Sequence, residues 1–340
     1  MSLDPAAALR YHGRAMRILS GIQPSGRLHL GNYFGAIRQY LALQEQGNQC
    51  FYFIANYHAL TGISDRAAME EITLHVAAGY LAMGIDPDRS VFFLQSDVPQ
   101  VTELCWILNC YCPVSLMEKA TSYKDKIAKG LPANMGLFDY PVLQAADIVI
   151  YDADLVPVGR DQKQHVEMSR DLVGKFNRAV GKDVLVLPEA HIAPEVAVVP
   201  GLDGQKMSKS YDNTIEVFAT AKQTKKRCAA IVTDSTALED PKDPDNCNVM
   251  SLLKLLASPQ EADEIASKYR AGGYGYGHAK ARLAELTNEK FAAARDRYAE
   301  LEKHDDTVRD MLAAGGRKAR EVAEATMRRV REVCGIMTNR

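Results

Sequence analysis

The chain has 340 residues, 47% of them apolar and 25% charged, with a net charge of −2. That composition suits about two globular domains and excludes a disordered chain. No apolar run approaches the roughly 18 residues that a membrane span needs, and the charge balance leaves no overall footprint for a polyanion. Residues 1–200 carry 17 Lys and Arg against 21 Asp and Glu, whereas residues 201–340 carry 24 against 22.

Residues 1–16 lack the long apolar core of a secretory signal and read as a loose tail before the first strand. The seven cysteines (Cys50, Cys105, Cys110, Cys112, Cys228, Cys247 and Cys334) are odd in number and contain no C-x-x-C pair. Reduced thiols in a cytoplasmic protein are the expectation. Short β-branched or aromatic runs follow at Arg17–Ser20, Cys50–Ala55, Val91–Gln95, Leu155–Val158 and Val184–Leu187, and each reads as a strand. Helical spacing covers Asn32–Gln46, and a second helix follows Asp65, a candidate N-cap. Alternation of this kind predicts an α/β fold with a doubly wound, Rossmann-like parallel sheet. Ligands in such folds bind beyond the carboxyl ends of the strands.

From about residue 212 the strand signal fades, and an all-helical C-terminal part is expected. Its final stretch, Gly315 to Arg340, holds seven basic residues and three acidic ones. A solvated helix face is the ordinary reading of such a stretch, and a polyanion-binding edge the sharper one. The expected division is a tail at 1–16, a catalytic domain at 17–211 and a helical domain at 212–340. Trp106, the single tryptophan, reads as part of an interface or core helix.

Two segments carry chemistry. The first strand runs into GIQPSGRLHLGN (21–32), and a helix starts at once. Strand, glycine-containing loop and helix N-terminus together make an anion site, with free backbone N–H groups and the positive dipole end above. His29 and Asn32 add side-chain donors there, and Gly31 removes a Cβ that would hold a nucleotide away. The second segment, Lys206-Met-Ser-Lys-Ser210, sets two lysines three apart on a glycine-bounded loop. Such a loop can close ammonium groups over a developing pyrophosphate. Either segment alone is also consistent with an ordinary turn or a solvated lysine loop.

The pair HLGN and KMSKS, about 175 residues apart, resembles the class I aminoacyl-tRNA synthetases. The opening GIQPSGRLHLGNYFGA, the stretch YPVLQAADI (140–148) and VPVGRDQKQH (156–165) are similar to the tryptophanyl branch. The resemblance runs from about residue 17 to 335. It implies ATP-dependent ligation of L-tryptophan to tRNA(Trp) through an adenylate, in a homodimer. A tyrosine–tRNA ligase, a small-molecule nucleotidyltransferase or an idle RNA-binding paralogue are the alternatives. Against the first, no tyrosine follows the opening strand to meet a phenol.

The resemblance also assigns residues. Gln23, Pro24, Ser25, Gly31 and Asn32 would hold ATP, with His29 near the phosphates. Gly159, Arg160 and Asp161 would lie along ribose and adenine. Lys206, Met207, Ser208, Lys209 and Ser210 would form the loop over the pyrophosphate, and Lys124 would add a phosphate contact. His29, Lys124, Lys206 and Lys209 are the implied catalytic group. Asp147 would accept the indole N–H, while Tyr140, Gln162 and His58 would surround the amino and carboxylate groups. Gln144 stands where many bacterial relatives have Met and makes the pocket wall more polar; Leu19 stands where an aromatic is common. Magnesium would arrive on the ATP phosphates, with no protein-bound metal cluster.

Overall fold

The β-branched and aromatic runs form five parallel strands in the order β3-β2-β1-β4-β5. They are β1 (Arg17–Ile22), β2 (Gln49–Ile54), β3 (Ser90–Leu94), β4 (Leu155–Pro157) and β5 (Glu189–His191). The computed structural model describes residues 15–63, 65–120, 134–159, 162–192 and 198–337. β1 sits in the middle, paired with β2 from Arg17 opposite Gln49 to Ile22 opposite Ile54, and with β4 through Ile18 and Leu155. The chain therefore leaves β1 in opposite directions to reach its two neighbours, which opens a crevice above its carboxyl end.

The helices of this half follow the expected signals. A helical turn (Leu30–Asn32) passes through a wider π-type turn (Tyr33–Ile37) into α1 (Arg38–Glu45). Asp65 caps α2 (Arg66–Met83), its carboxylate accepting the Ala68 N–H at 2.7 Å. Gly84 ends that helix at a φ of 117°, a conformation that glycine adopts without strain. α3 (Gln100–Asn109), α4 (Met135–Val149) and α5 (Lys163–Val180) cover the sheet further along the chain.

One expected strand is displaced. Val184–Leu187 is not part of the sheet; β5 begins at Glu189. The Asn177 side chain accepts the N–H groups of Val184 and Leu185 and donates to the Leu185 carbonyl. These backbone groups are satisfied without a ladder, so the apolar run packs as a loop.

Beyond residue 212 the described residues form helices α6 (Ala221–Ala229), α7 (Asn248–Leu256), α8 (Pro259–Ala271), α9 (Tyr276–Leu301) and α10 (Asp305–Val333). α9 packs on α6, α7 and α2. α10 returns to the sheet and lies on β3, the edge strand. At Gly315 its backbone is so near the Phe92 carbonyl that any Cβ would collide. Ala319, Ala323, Met327 and Val330 are buried in the same apolar cluster as Phe93 and Val149.

Three arginines of the basic stretch on α10 are engaged within the fold. Arg331 forks onto both oxygens of Glu103 (2.7 and 2.6 Å) and also meets Glu324 at 2.6 Å. Arg329 pairs with Asp152 at 2.6 Å, and Arg320 donates twice to the Asp97 carbonyl. These cations staple the last helix to the sheet half. Trp106, by contrast, is 71% exposed on α3, with Val114 and Met135 also exposed.

Candidate active site

The glycine loop after β1 is shaped by close approaches. At the end of β1, a Cβ on Gly21 would stand 2.7 Å from the Phe53 ring, so a larger residue there would have to displace that ring. The His29 N–H donates to Asn32 Oδ1 at 3.0 Å, which fixes the start of the helical turn. Backbone bonds from Leu30 to Ile215 and from Val217 to Leu28 tie this turn to the segment that follows the lysine loop.

The His29 ring is buried, and its Nδ1 has no hydrogen-bond partner among the described residues. Burial, aided by the charge of Lys209, pushes its pKa down to about 4. It is therefore a neutral imidazole at physiological pH, able to donate an N–H but carrying no charge. A Cβ at Gly31 would lie 2.9 Å from His29 Nδ1, so this glycine also makes room for the ring.

The lysine loop is held from below by Asn213, which is 2% exposed. Asn213 Oδ1 accepts the Ser208 N–H at 2.7 Å, and its Nδ2 donates to Asp203 Oδ1 and to the Lys206 carbonyl. Met207 is buried and receives the Gly31 N–H on its sulfur at 3.3 Å. Lys209 points back to the glycine loop, where its Nζ donates to the carbonyl and hydroxyl oxygens of Ser25. Desolvation lowers the Lys209 pKa, and nearby Glu216 partly offsets this. A cleft of about 780 Å3 lies between the loops, lined by Ser25, His29, Gly31, Asn32, Gly159 and residues 206–211.

A second cavity of about 420 Å3 opens above β1 and β4, and Gly159 lines both spaces. Tyr140, Gln144, Asp147, His58 and Gln162 all face it, together with Leu19 and Phe53. Asp147, on α4, is 1% exposed. His58 Nε2 stands 2.9 Å from its Oδ2, and Gln95 Nε2 stands 2.9 and 2.8 Å from its two oxygens. Burial raises the Asp147 pKa, and the bonds from His58 and Gln95 oppose that rise. The Tyr140 hydroxyl lies 2.8 Å from His165 Nε2, and burial pushes its pKa up to about 12.

Most of the residues singled out in the sequence thus gather around two adjoining spaces. Gln23, expected on ATP, lines the smaller cavity, and Pro24 lines neither space. His58, expected around the charged end of an amino acid, lies on Asp147. Lys124, Arg160 and Asp161 fall outside the described residues. Gln95 and Asn213 were missed. Neither belongs to a motif, and their importance rests on contacts with residues 52 and 5 positions away.

A parallel sheet with a nucleotide-sized cleft at its switch point, closed by a lysine loop and adjoining an amino-acid-sized cavity, defines a class I amino-acid-activating enzyme. The family model described as tRNA synthetases class I (W and Y) matches residues 11–292, and the chain belongs to that family. The tryptophan–tRNA ligase of Fusobacterium nucleatum is 51% identical over 323 residues, 95% of this chain and 99% of its own length. That of Rhodopirellula baltica is 52% identical over 321 residues, 94% of this chain and 100% of its own. The fold is similar to the crystal structure of tryptophanyl-tRNA synthetase from Campylobacter jejuni complexed with ADP and tryptophan. That similarity has a TM-score of 0.89 and 52% identity, covering 94% of this chain and 100% of the other.

Proposed function

We propose that the chain ligates L-tryptophan to tRNA(Trp), forming tryptophanyl-adenylate on the way. The carrying observation is the adjacency of the two spaces at Gly159: a cavity lined by the buried Asp147 carboxylate beside a cleft with the lysine loop. Indole has one N–H donor and no acceptor, so an ionised Asp147 is its complement. The Gln144 side chain adds a polar group to the wall.

In the first half-reaction the tryptophan carboxylate attacks the α-phosphorus of ATP, and the bond to the bridging oxygen breaks to release pyrophosphate. The nucleophile is already ionised, so the barrier falls through in-line placement and charge stabilisation. Lys206 and Lys209 supply the charges at the leaving group, with Lys124 as a third, and His29 supplies a neutral donor. In the second half-reaction a terminal ribose hydroxyl of tRNA takes the acyl group and AMP leaves. Among the described residues no group of three His, Cys, Asp or Glu is placed to hold a metal. Magnesium carried by the triphosphate would neutralise phosphate charge.

Residues 17–211 would perform the chemistry and 212–340 would meet the anticodon region of tRNA, with 1–16 a tail. A homodimer is part of this reading, and the exposed apolar side chains of Trp106, Val114 and Met135 are candidates for its contact. No helix of the described residues is long and apolar enough to cross a membrane, and all seven cysteines are unpaired. Unpaired thiols are the usual state in a reducing compartment, and a cytoplasmic location is part of this reading. The test is charging of tRNA(Trp) with tryptophan by the purified chain, alongside tryptophan-dependent ATP–pyrophosphate exchange. Exchange without charging would leave only the first half-reaction standing.

A further inference from the structure

Gln95, in the turn that follows β3, is 1% exposed and sits beside Asp147. Its Oε1 accepts the Tyr57 N–H at 2.9 Å, which decides the end of the amide that faces the carboxylate. Its Nε2 then straddles the two Asp147 oxygens at 2.9 and 2.8 Å. The turn is cross-tied by its neighbours: the Ser96 N–H donates to Asn56 Oδ1 at 3.1 Å, and Asn56 Nδ2 donates to Ser96 Oγ at 2.8 Å. An amide whose oxygen is occupied in this way presents only donors to the Asp147 carboxylate.

We propose that Gln95 is a positioning residue for substrate choice, holding Asp147 as an acceptor-only carboxylate so that the cavity selects a side chain bearing an N–H. This rests on the tryptophan reading of the cavity. A proton placed on Asp147 would meet the amide donor and turn the carboxyl into a donor itself, which suits a phenol oxygen better than an indole. Gln95 keeps that alternative unfavourable while leaving lone pairs on Asp147 for the substrate.

The other titratable groups facing Asp147 do not supply this function. His58 donates to one oxygen only. Cys105 and Tyr151 feel the Asp147 charge, but burial pushes both far upward and they stay neutral. Gln95 alone bridges both oxygens among the described residues.

The test is ATP–pyrophosphate exchange with two amino acids of nearly the same shape, tryptophan and 3-benzothienylalanine, in which sulfur replaces the N–H. Gln95→Met should lower kcat/KM for tryptophan about 10–100-fold, as expected for removing one partner of a buried charged group. The KM for ATP should not move. The loss for 3-benzothienylalanine should be much smaller, so the preference for tryptophan contracts. Gln95→Glu adds an independent readout, because the introduced carboxyl and Asp147 must share one proton. With that proton bound, the introduced group donates as the amide did. As pH rises through the pair's upper apparent pKa, kcat/KM for tryptophan should fall, while the parent enzyme stays level. Equal losses for both amino acids in Gln95→Met, or a level profile in Gln95→Glu, would overturn the role of Gln95. A parent enzyme that exchanges no faster with tryptophan than with tyrosine would overturn the tryptophan reading itself.

Discussion

The Lys209 ammonium donates to the Ser25 carbonyl oxygen and lies 3.3 Å from the Ser25 hydroxyl, latching together two loops 184 residues apart. The contact holds the lysine loop against the glycine loop, with both Ser25 and Lys209 on the wall of the larger cleft. A preorganised charge of this kind acts where charge develops and needs no reorganisation during the reaction.

Lys209→Ala should therefore lower the rate of adenylate formation by ~10²–10³, with little change in tryptophan affinity. Single-turnover exchange together with equilibrium tryptophan binding separates the two quantities. An unchanged exchange rate would remove Lys209 from the chemistry.

The loop also depends on the side chain beneath it. Asn213→Ala leaves the Ser208 N–H and the Lys206 carbonyl without their buried partner, at a cost of about 1–3 kcal/mol. Loop order and ATP use should suffer together: KM for ATP rises, kcat falls, and the urea midpoint drops. A variant with full stability and unaltered ATP kinetics would show that the loop holds its shape without Asn213.

His29 makes a pH prediction. Its pKa falls from the ordinary 6.5 to about 4 on folding, so between these values the folded chain binds fewer protons than the unfolded one. Its contribution to stability is present above about 6.5 and is lost as pH drops toward 4. His29→Asn should flatten the pH dependence of unfolding in that window, and the imidazole should remain neutral by NMR at pH 6. An ordinary titration near 6.5 would contradict the buried, neutral placement.

Arg331 should behave as a staple. Its guanidinium, only 15% exposed, holds Glu103 and Glu324. Both carboxylates are more than a third exposed, so solvent screens the pair and the expected loss for Arg331→Met is about 1 kcal/mol or less. The measurable effect is a lower thermal midpoint, with tRNA affinity and its salt slope unchanged. A flatter salt slope at unchanged stability would mean that the arginine contacts phosphate.

Much of this architecture was legible in the sequence because strands and helices are written locally. β1 to β4 fall within a residue or two of their apolar runs, and Asp65 caps the helix it announces. Val184–Leu187 misled because its pattern is that of a strand, while the backbone is satisfied by Asn177, a partner that no periodicity reveals. The return of α10 to β3 was equally hidden. A helix pattern shows an apolar stripe but not the surface that it covers, and Gly315 gained its meaning only against Phe92. In the site, the HLGN and KMSKS segments stood out because their chemistry is contiguous. Gln95 and Asn213 act through distant or turn-specific contacts, and an isolated Gln or Asn in sequence carries no such signal.

Substrate choice is tested most directly by ATP–pyrophosphate exchange with tryptophan, tyrosine and phenylalanine at equal concentration, in the parent enzyme and in Asp147→Ala. With the buried Asp147 carboxylate as the partner of the indole N–H, tryptophan should support exchange, tyrosine barely, and phenylalanine not measurably. A site built to hydrogen-bond its substrate rejects an analogue lacking the group by as much as about 10⁴–10⁵. Asp147→Ala should lower kcat/KM for tryptophan and leave ATP affinity nearly unchanged. Exchange with tyrosine that equals or exceeds that with tryptophan would contradict the assignment.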